Sequence, residues 1–79
     1  MTRLTVHKFR LGDVDDPEIY AGQPLYQWEK SEQGQWVMEH AIEQPMFYIK
    51  PDVEYAGYNV TVVANLTEED SVLYALRWS

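Results

Sequence analysis

Residues 57–78 read GYNVTVVANLTEEDSVLYALRW, and the reading of this stretch decides the fold. Tyr58, Val60, Val62, Ala64 and Leu66 alternate with Asn59, Thr61, Val63, Asn65 and Thr67, the period of two of a strand with one buried face. Val72, Tyr74, Leu76 and Trp78 alternate in the same way with Ser71, Leu73, Ala75 and Arg77. The pattern predicts a β-hairpin whose two arms offer their apolar faces to one core. Pairing inward with inward positions sets Leu66 opposite Val72, Ala64 opposite Tyr74 and Val62 opposite Leu76, because a slip of one residue would turn a whole arm to solvent. Glu68, Glu69 and Asp70 then become a three-residue connection, read as a solvated acidic turn.

Working back from the hairpin, Met46 to Lys50 reads as a short strand turned by Pro51-Asp52, and Val53 to Ala56 as a strand extension or a loop. Gln44-Pro45 ends whatever precedes it, since the residue before a proline is pushed out of the helical region. Pro24 to Ala41 admits two readings. As a helix it has proline at its start, helix formers at Glu29, Lys30, Glu32 and Gln33, and Leu25, Trp28, Trp36 and His40 on one side. As a hairpin it would set Trp28 opposite Trp36 across a turn at Ser31 to Gly34. The absence of β-branched residues from Glu29 to Gln33 favours the helix, with Gly34 allowing close packing on the sheet. His40 then falls near the helix end, at the edge of the core.

At the other end of the chain, Arg3 to Leu11 begins as a strand with Leu4 and Val6 on one face, but Phe9 and Leu11 carry the apolar pattern on the opposite parity. The phase slips near His7-Lys8, as it does at a β-bulge. Gly12 to Glu18 packs Asp13, Asp15, Asp16 and Glu18 into a short segment. Asp16-Pro17 reads as an N-cap with proline at the first helical position, opening a single turn that stops near Gly22. Convergence of Asp13, Asp15 and Asp16 on Ca²⁺ would need a glycine and a glutamate where Glu18 and Pro24 stand, so no metal is expected.

The expected architecture is α+β: a single domain over 1–79, with a four-stranded, mainly antiparallel sheet and one principal helix packed on one face. Its expected core is Val60, Val62, Leu66, Val72, Tyr74, Leu76, Trp28 and Leu25. A domain of 79 residues buries only about 60% of the surface its unfolded chain exposes, so its margin is thin and dimerisation would add to it. No cysteine supplies a disulfide or thiolate site, and the core relies on three Trp, six Tyr and two Phe. No apolar run is long enough for a membrane span, and Met1 to Thr5 lacks the apolar region of a secretory signal, which predicts a soluble intracellular protein. Asn59-Val60-Thr61 and Asn65-Leu66-Thr67 match the glycosylation pattern but fall inside the predicted strand.

Gly12 to Ala21, Gln23 to Trp28 and Ser31 to His40, with Gly57-Tyr58 and Leu76-Arg77-Trp78, resemble small uncharacterised accessory proteins of tailed bacteriophages. The resemblance carries no active site. It implies a protein made during infection, in the host cytoplasm, of a class whose small members commonly bind and redirect a host protein.

Thirteen acids against six bases give a formal charge of −7, which opposes direct binding to a phosphate backbone and suits a basic protein partner. Catalysis is not expected: there is no glycine-rich phosphate loop, only two histidines are present, and the carboxylates cluster where turns and helix starts account for them. No cofactor is expected either. The leading expectation is protein–protein binding through Asp13, Asp15, Asp16, Glu18, Tyr20 and Tyr26, where surplus acids attract a basic surface and tyrosines give rigid contact area. A virion or assembly component, and a nucleic-acid mimic occupying a DNA-binding protein, are the alternatives.

Overall fold

The alternation of residues 58–66 makes a strand. In the computed structural model, which describes residues 2–54 and 56–78, β3 (Tyr58–Leu66) buries Val60, Val62, Ala64 and Leu66 and leaves the residues between them half-buried. It is the central strand of an antiparallel sheet, flanked by β1 (Thr2–Leu11) and β2 (Met46–Pro51) in the order β1-β3-β2. The sheet has three strands, not the four expected. Three helices accompany it in place of one principal helix: α1 (Pro17–Lys30), α2 (Glu32–His40) and α3 (Glu68–Trp78).

The missing strand is α3. Thr67 Oγ1 accepts from the N–H of Asp70 at 3.1 Å, and the Thr67 carbonyl accepts from the N–H of Ser71. Glu68, Glu69 and Asp70 are therefore the first turn of a helix, where carboxylates oppose the positive end of the helix dipole. Only Val72 is β-branched between Glu68 and Trp78, whereas β3 holds Val60, Thr61, Val62 and Val63 in a row. The helix turns Tyr74 and Trp78, four residues apart, towards the body of the domain. Val72 and Leu76, expected in the core, are 57% and 79% exposed.

Residues 24–40 are helical except for Ser31, which excludes the Trp28–Trp36 hairpin, but they form parts of two helices. α1 starts at Pro17 with Asp16 in the N-cap position, although the Asp16 side chain makes no capping bond. It does not stop at Gly22. It continues through Pro24, whose ring nitrogen has no hydrogen for the Tyr20 carbonyl, to Lys30. Burial of Ala21 and Trp28, two turns apart on one side, holds the helix across that defect. Ser31 breaks the run. Its extended ψ of 162° ends α1 and caps α2, with Oγ donating to the Trp28 carbonyl at 2.5 Å and accepting from the N–H of Gly34 at 3.0 Å.

Gly34 is buried at this elbow and packs on α1, not on the sheet. A Cβ there would lie 1.8 Å from the Trp28 carbonyl oxygen. Gly57 is constrained at the other end of the sheet, with φ +118° and room for no Cβ because Leu11 O would be 2.4 Å away. Val53, Glu54 and Ala56 form part of the irregular connection leading to it; Tyr55, within the same stretch, lies outside the described residues.

The phase slip in β1 is a β-bulge. Thr5 pairs with Val63 and His7 with Val62, so Val6 is the extra residue. Its side chain enters the core with Trp28, Val37, Val62 and Ala64, against which Leu4, Leu25, Trp36, Ala41 and Tyr74 pack. A bulged residue loses its place in the ladder, and here the Val6 carbonyl accepts from Tyr74 Oη at 2.8 Å and from Gln33 Nε2 at 3.3 Å. Gln33 also donates to the Tyr74 hydroxyl at 2.6 Å. Burial raises the Tyr74 pKa, with the Gln33 bond pulling the other way. The irregularity in β1 is thus the point at which α2 and α3 are fastened to the sheet.

Candidate interaction surfaces

The bulge has a second consequence, on the far side of the sheet. Before Val6 the odd-numbered residues of β1 share a face with Asn65 and Val63; after it the even-numbered ones share that face with Thr61 and Asn59. Arg3, Thr5, Lys8 and Arg10 therefore line up on the side away from the core, although Arg3 and Lys8 have opposite parity. On the other edge, Met46, Tyr48 and Lys50 pair with Val63, Thr61 and Asn59 and complete the same surface. All these β1 and β2 residues are exposed and the β3 residues between them half-buried. With strands about 4.8 Å apart and same-face residues about 6.8 Å apart along a strand, this open face is roughly 10 Å by 20 Å.

Its charge is opposite to that of the chain. Arg3, Lys8, Arg10 and Lys50 are four of the six bases, and the strands contain none of the thirteen acids. Among the described residues, Asp52 and Glu43 border the face. Asp52 pairs with Arg10 at 3.0 Å, and Glu43 shares a hollow with Arg3, Met46, Val63 and Asn65. Arg3 donates to Tyr48 Oη at 2.7 Å, its guanidinium 5.5 Å from the tyrosine ring centre, so the two span β3 above Val63. A shallow groove lined by Arg3, Tyr48, Lys50, Thr61 and Val63 lies at the centre of the face. Among the described residues no carboxylate lies within ion-pair distance of Lys8 or Lys50.

The residues singled out from the sequence are on the helical side of the chain. Asp13, Asp15 and Asp16 are exposed in the connection to α1, and Glu18, Tyr20 and Tyr26 are exposed on α1 itself. Tyr26 carries the Lys30 ammonium 4.9 Å from its ring centre. Among the described residues no group of three metal-ligating side chains is close enough to hold an ion, and no helix is long and apolar enough to cross a membrane. The open face was missed because net charge was taken over the whole chain; sorting it by element would have set Arg3, Lys8, Arg10 and Lys50 apart.

The two histidines serve the core. His7 stacks on Trp28 with ring centres 5.5 Å apart, and burial lowers its pKa from the ordinary 6.5. His40 donates from Nδ1 to the Trp36 carbonyl at 2.7 Å and stacks on the Trp36 ring at 4.1 Å. Trp36 also meets Trp78 edge-on at 5.4 Å, so an aromatic group joins α2 to α3.

A small α+β domain with all its strand-borne charge on one open face is what the fold defines. No family model matches the sequence, and comparison with curated proteins and with solved structures found no match.

Proposed function

We propose that this chain is a protein-binding module that uses the open face of its sheet to bind an acidic protein surface, and that it acts by occupying that surface rather than by chemistry on it. In the setting the phage resemblance implies, the partner is a host protein. The observation that carries the reading is the concentration of Arg3, Lys8, Arg10 and Lys50 around Tyr48 and Val63 on a face free of strand carboxylates. Arginine and tyrosine are the side chains most often found at the energetic centre of protein interfaces. A basic patch of this kind raises association rates with an acidic partner and confers salt dependence.

A protein surface suits this face better than a nucleic-acid strand. Stacking successive bases takes several aromatic platforms, and among the described strand residues Tyr48 is the one aromatic on this face. A phosphate chain leaving a patch of about 20 Å would also run past the acids of the loops and helices. The test compares wild type with a Lys8→Glu, Lys50→Glu double variant, each immobilised and exposed to host extract at about 50 mM and about 300 mM salt, with bound proteins quantified. Proteins held by wild type at low salt and lost both at high salt and on the variant are the expected result. An identical bound set on the variant, or saturable binding of a single-stranded oligonucleotide that only the variant loses, would overturn the reading.

A further inference from the structure

α3 carries large apolar residues on two sides, and one of the two packs against the domain. At 100° per residue, Asp70, Ser71, Tyr74 and Trp78 form the side turned to the domain, and all four are half-buried. On the opposite side Val72, Leu73 and Leu76 form a continuous strip with Glu69, spaced three, four and seven along the helix, and are 57%, 48% and 79% exposed. Such spacing is the seam of a helix pair. The ends of the same helix carry opposite charge: Glu68, Glu69 and Asp70 in its first turn, Arg77 in its last.

From this geometry we propose that α3 docks against α3 of a second copy, antiparallel, about a twofold axis near Leu73. A parallel pair would bring six carboxylates together at one end. The antiparallel pair places Arg77 beside Glu69 of the other copy at both ends, and sets the two helix dipoles head to tail. Arg77 already pairs with Glu32 of its own chain and lies 4.6 Å over the Trp78 ring. A guanidinium has five N–H donors, so it serves both carboxylates. The twofold arrangement makes the surface complementary to itself, Leu76 of each copy falling near Glu69 and Leu73 of the other. An eleven-residue helix is about 16 Å long, and its strip is smaller than the roughly 800 Å² per partner of a standard stable interface. The dimer is accordingly weak, forming at upper micromolar concentration, and leaves the sheet's open face uncovered.

Sedimentation velocity on the full chain from about 5 µM to about 1 mM tests this, the range bracketing a weak association. The expected result is a monomer at the low end and a dimer at the high end. Leu76→Glu should keep the chain monomeric throughout with its thermal melt at low concentration unchanged. Glu69→Arg should weaken the dimer at least several-fold, and Glu69→Arg combined with Arg77→Glu should recover it. A monomer over the whole range, a dimer that Leu76→Glu leaves intact, or a double variant no better than Glu69→Arg alone would overturn the proposal.

Discussion

On one face of the sheet Val62 and Ala64 pack with Val6, Trp28 and Val37, and Val60 and Leu66 are buried along the same strand; on the other, the intervening residues Asn59, Thr61, Val63 and Asn65 lie between Arg3, Lys8, Arg10, Tyr48 and Lys50. The first set is apolar and holds the helices. The second is basic and polar and holds nothing in the monomer. What separates them is a single bulge: Val6 re-phases β1 so that Phe9 and Leu11 join Leu4 on the covered side while Lys8 and Arg10 join Arg3 on the open one. One extra residue thus serves packing and surface chemistry together. Substitutions on the covered side should then cost stability, and those on the open side should cost binding alone.

The largest effect expected is from Leu66→Ala, which leaves a cavity at the fully buried end of β3 and should destabilise by about 2–5 kcal/mol in denaturant unfolding. Leu76→Ala, measured at low micromolar concentration, should stay within about 0.5 kcal/mol because its side chain is in solvent. Equal losses from the two would place Leu76 in the core after all. Gly34→Ala should cost at least about 1–3 kcal/mol, since the elbow must open to admit a methyl group against the Trp28 carbonyl. Thr67→Ala, which removes the cap of α3, should cost about 1 kcal/mol and lower helical circular dichroism on partial heating.

A smaller effect should appear in the pH dependence. His7 is held neutral by its burial against Trp28, so its folded pKa lies below 6.5 while the unfolded chain binds a proton there. Unfolding then takes up a proton as pH falls, and the stability present above about pH 6.5 is lost below it. His7→Phe keeps the ring contact and removes the titration, so melting temperatures between pH 7.5 and 5 should fall less steeply in the variant. A variant with the same slope as wild type would assign the acid sensitivity elsewhere.

Much of this was legible in the sequence. Alternation located β3 and its buried side, and the parity break at His7-Lys8 located the bulge to within a residue or two; Gln44-Pro45 bounded the helical stretch only loosely, since α2 already ends at His40. The last third was misread because Val72, Tyr74, Leu76 and Trp78 alternate as a strand would, yet Tyr74 and Trp78 also lie one helical turn apart. Thr67-Glu68-Glu69-Asp70 was the arbiter: a hydroxyl residue followed three positions later by an acid starts a helix, and the same acids read as a turn only if the hairpin is assumed. The Ser31 elbow depends on Gly34 meeting the Trp28 backbone, a contact between helices that no local pattern records. The open face depends on register across three strands, and register is a property of the assembled sheet.

The central claim is that the sheet's open face is the binding surface, and backbone amide shifts report on it directly. Uniformly labelled protein, titrated with a hexaglutamate peptide in low salt, should show saturable shifts confined to Arg3, Thr5, Lys8, Tyr48, Lys50 and Thr61, abolished by Lys8→Glu with Lys50→Glu. Shifts confined to Asp13–Tyr26 on the helical side, or none on the sheet at any peptide concentration, would contradict it.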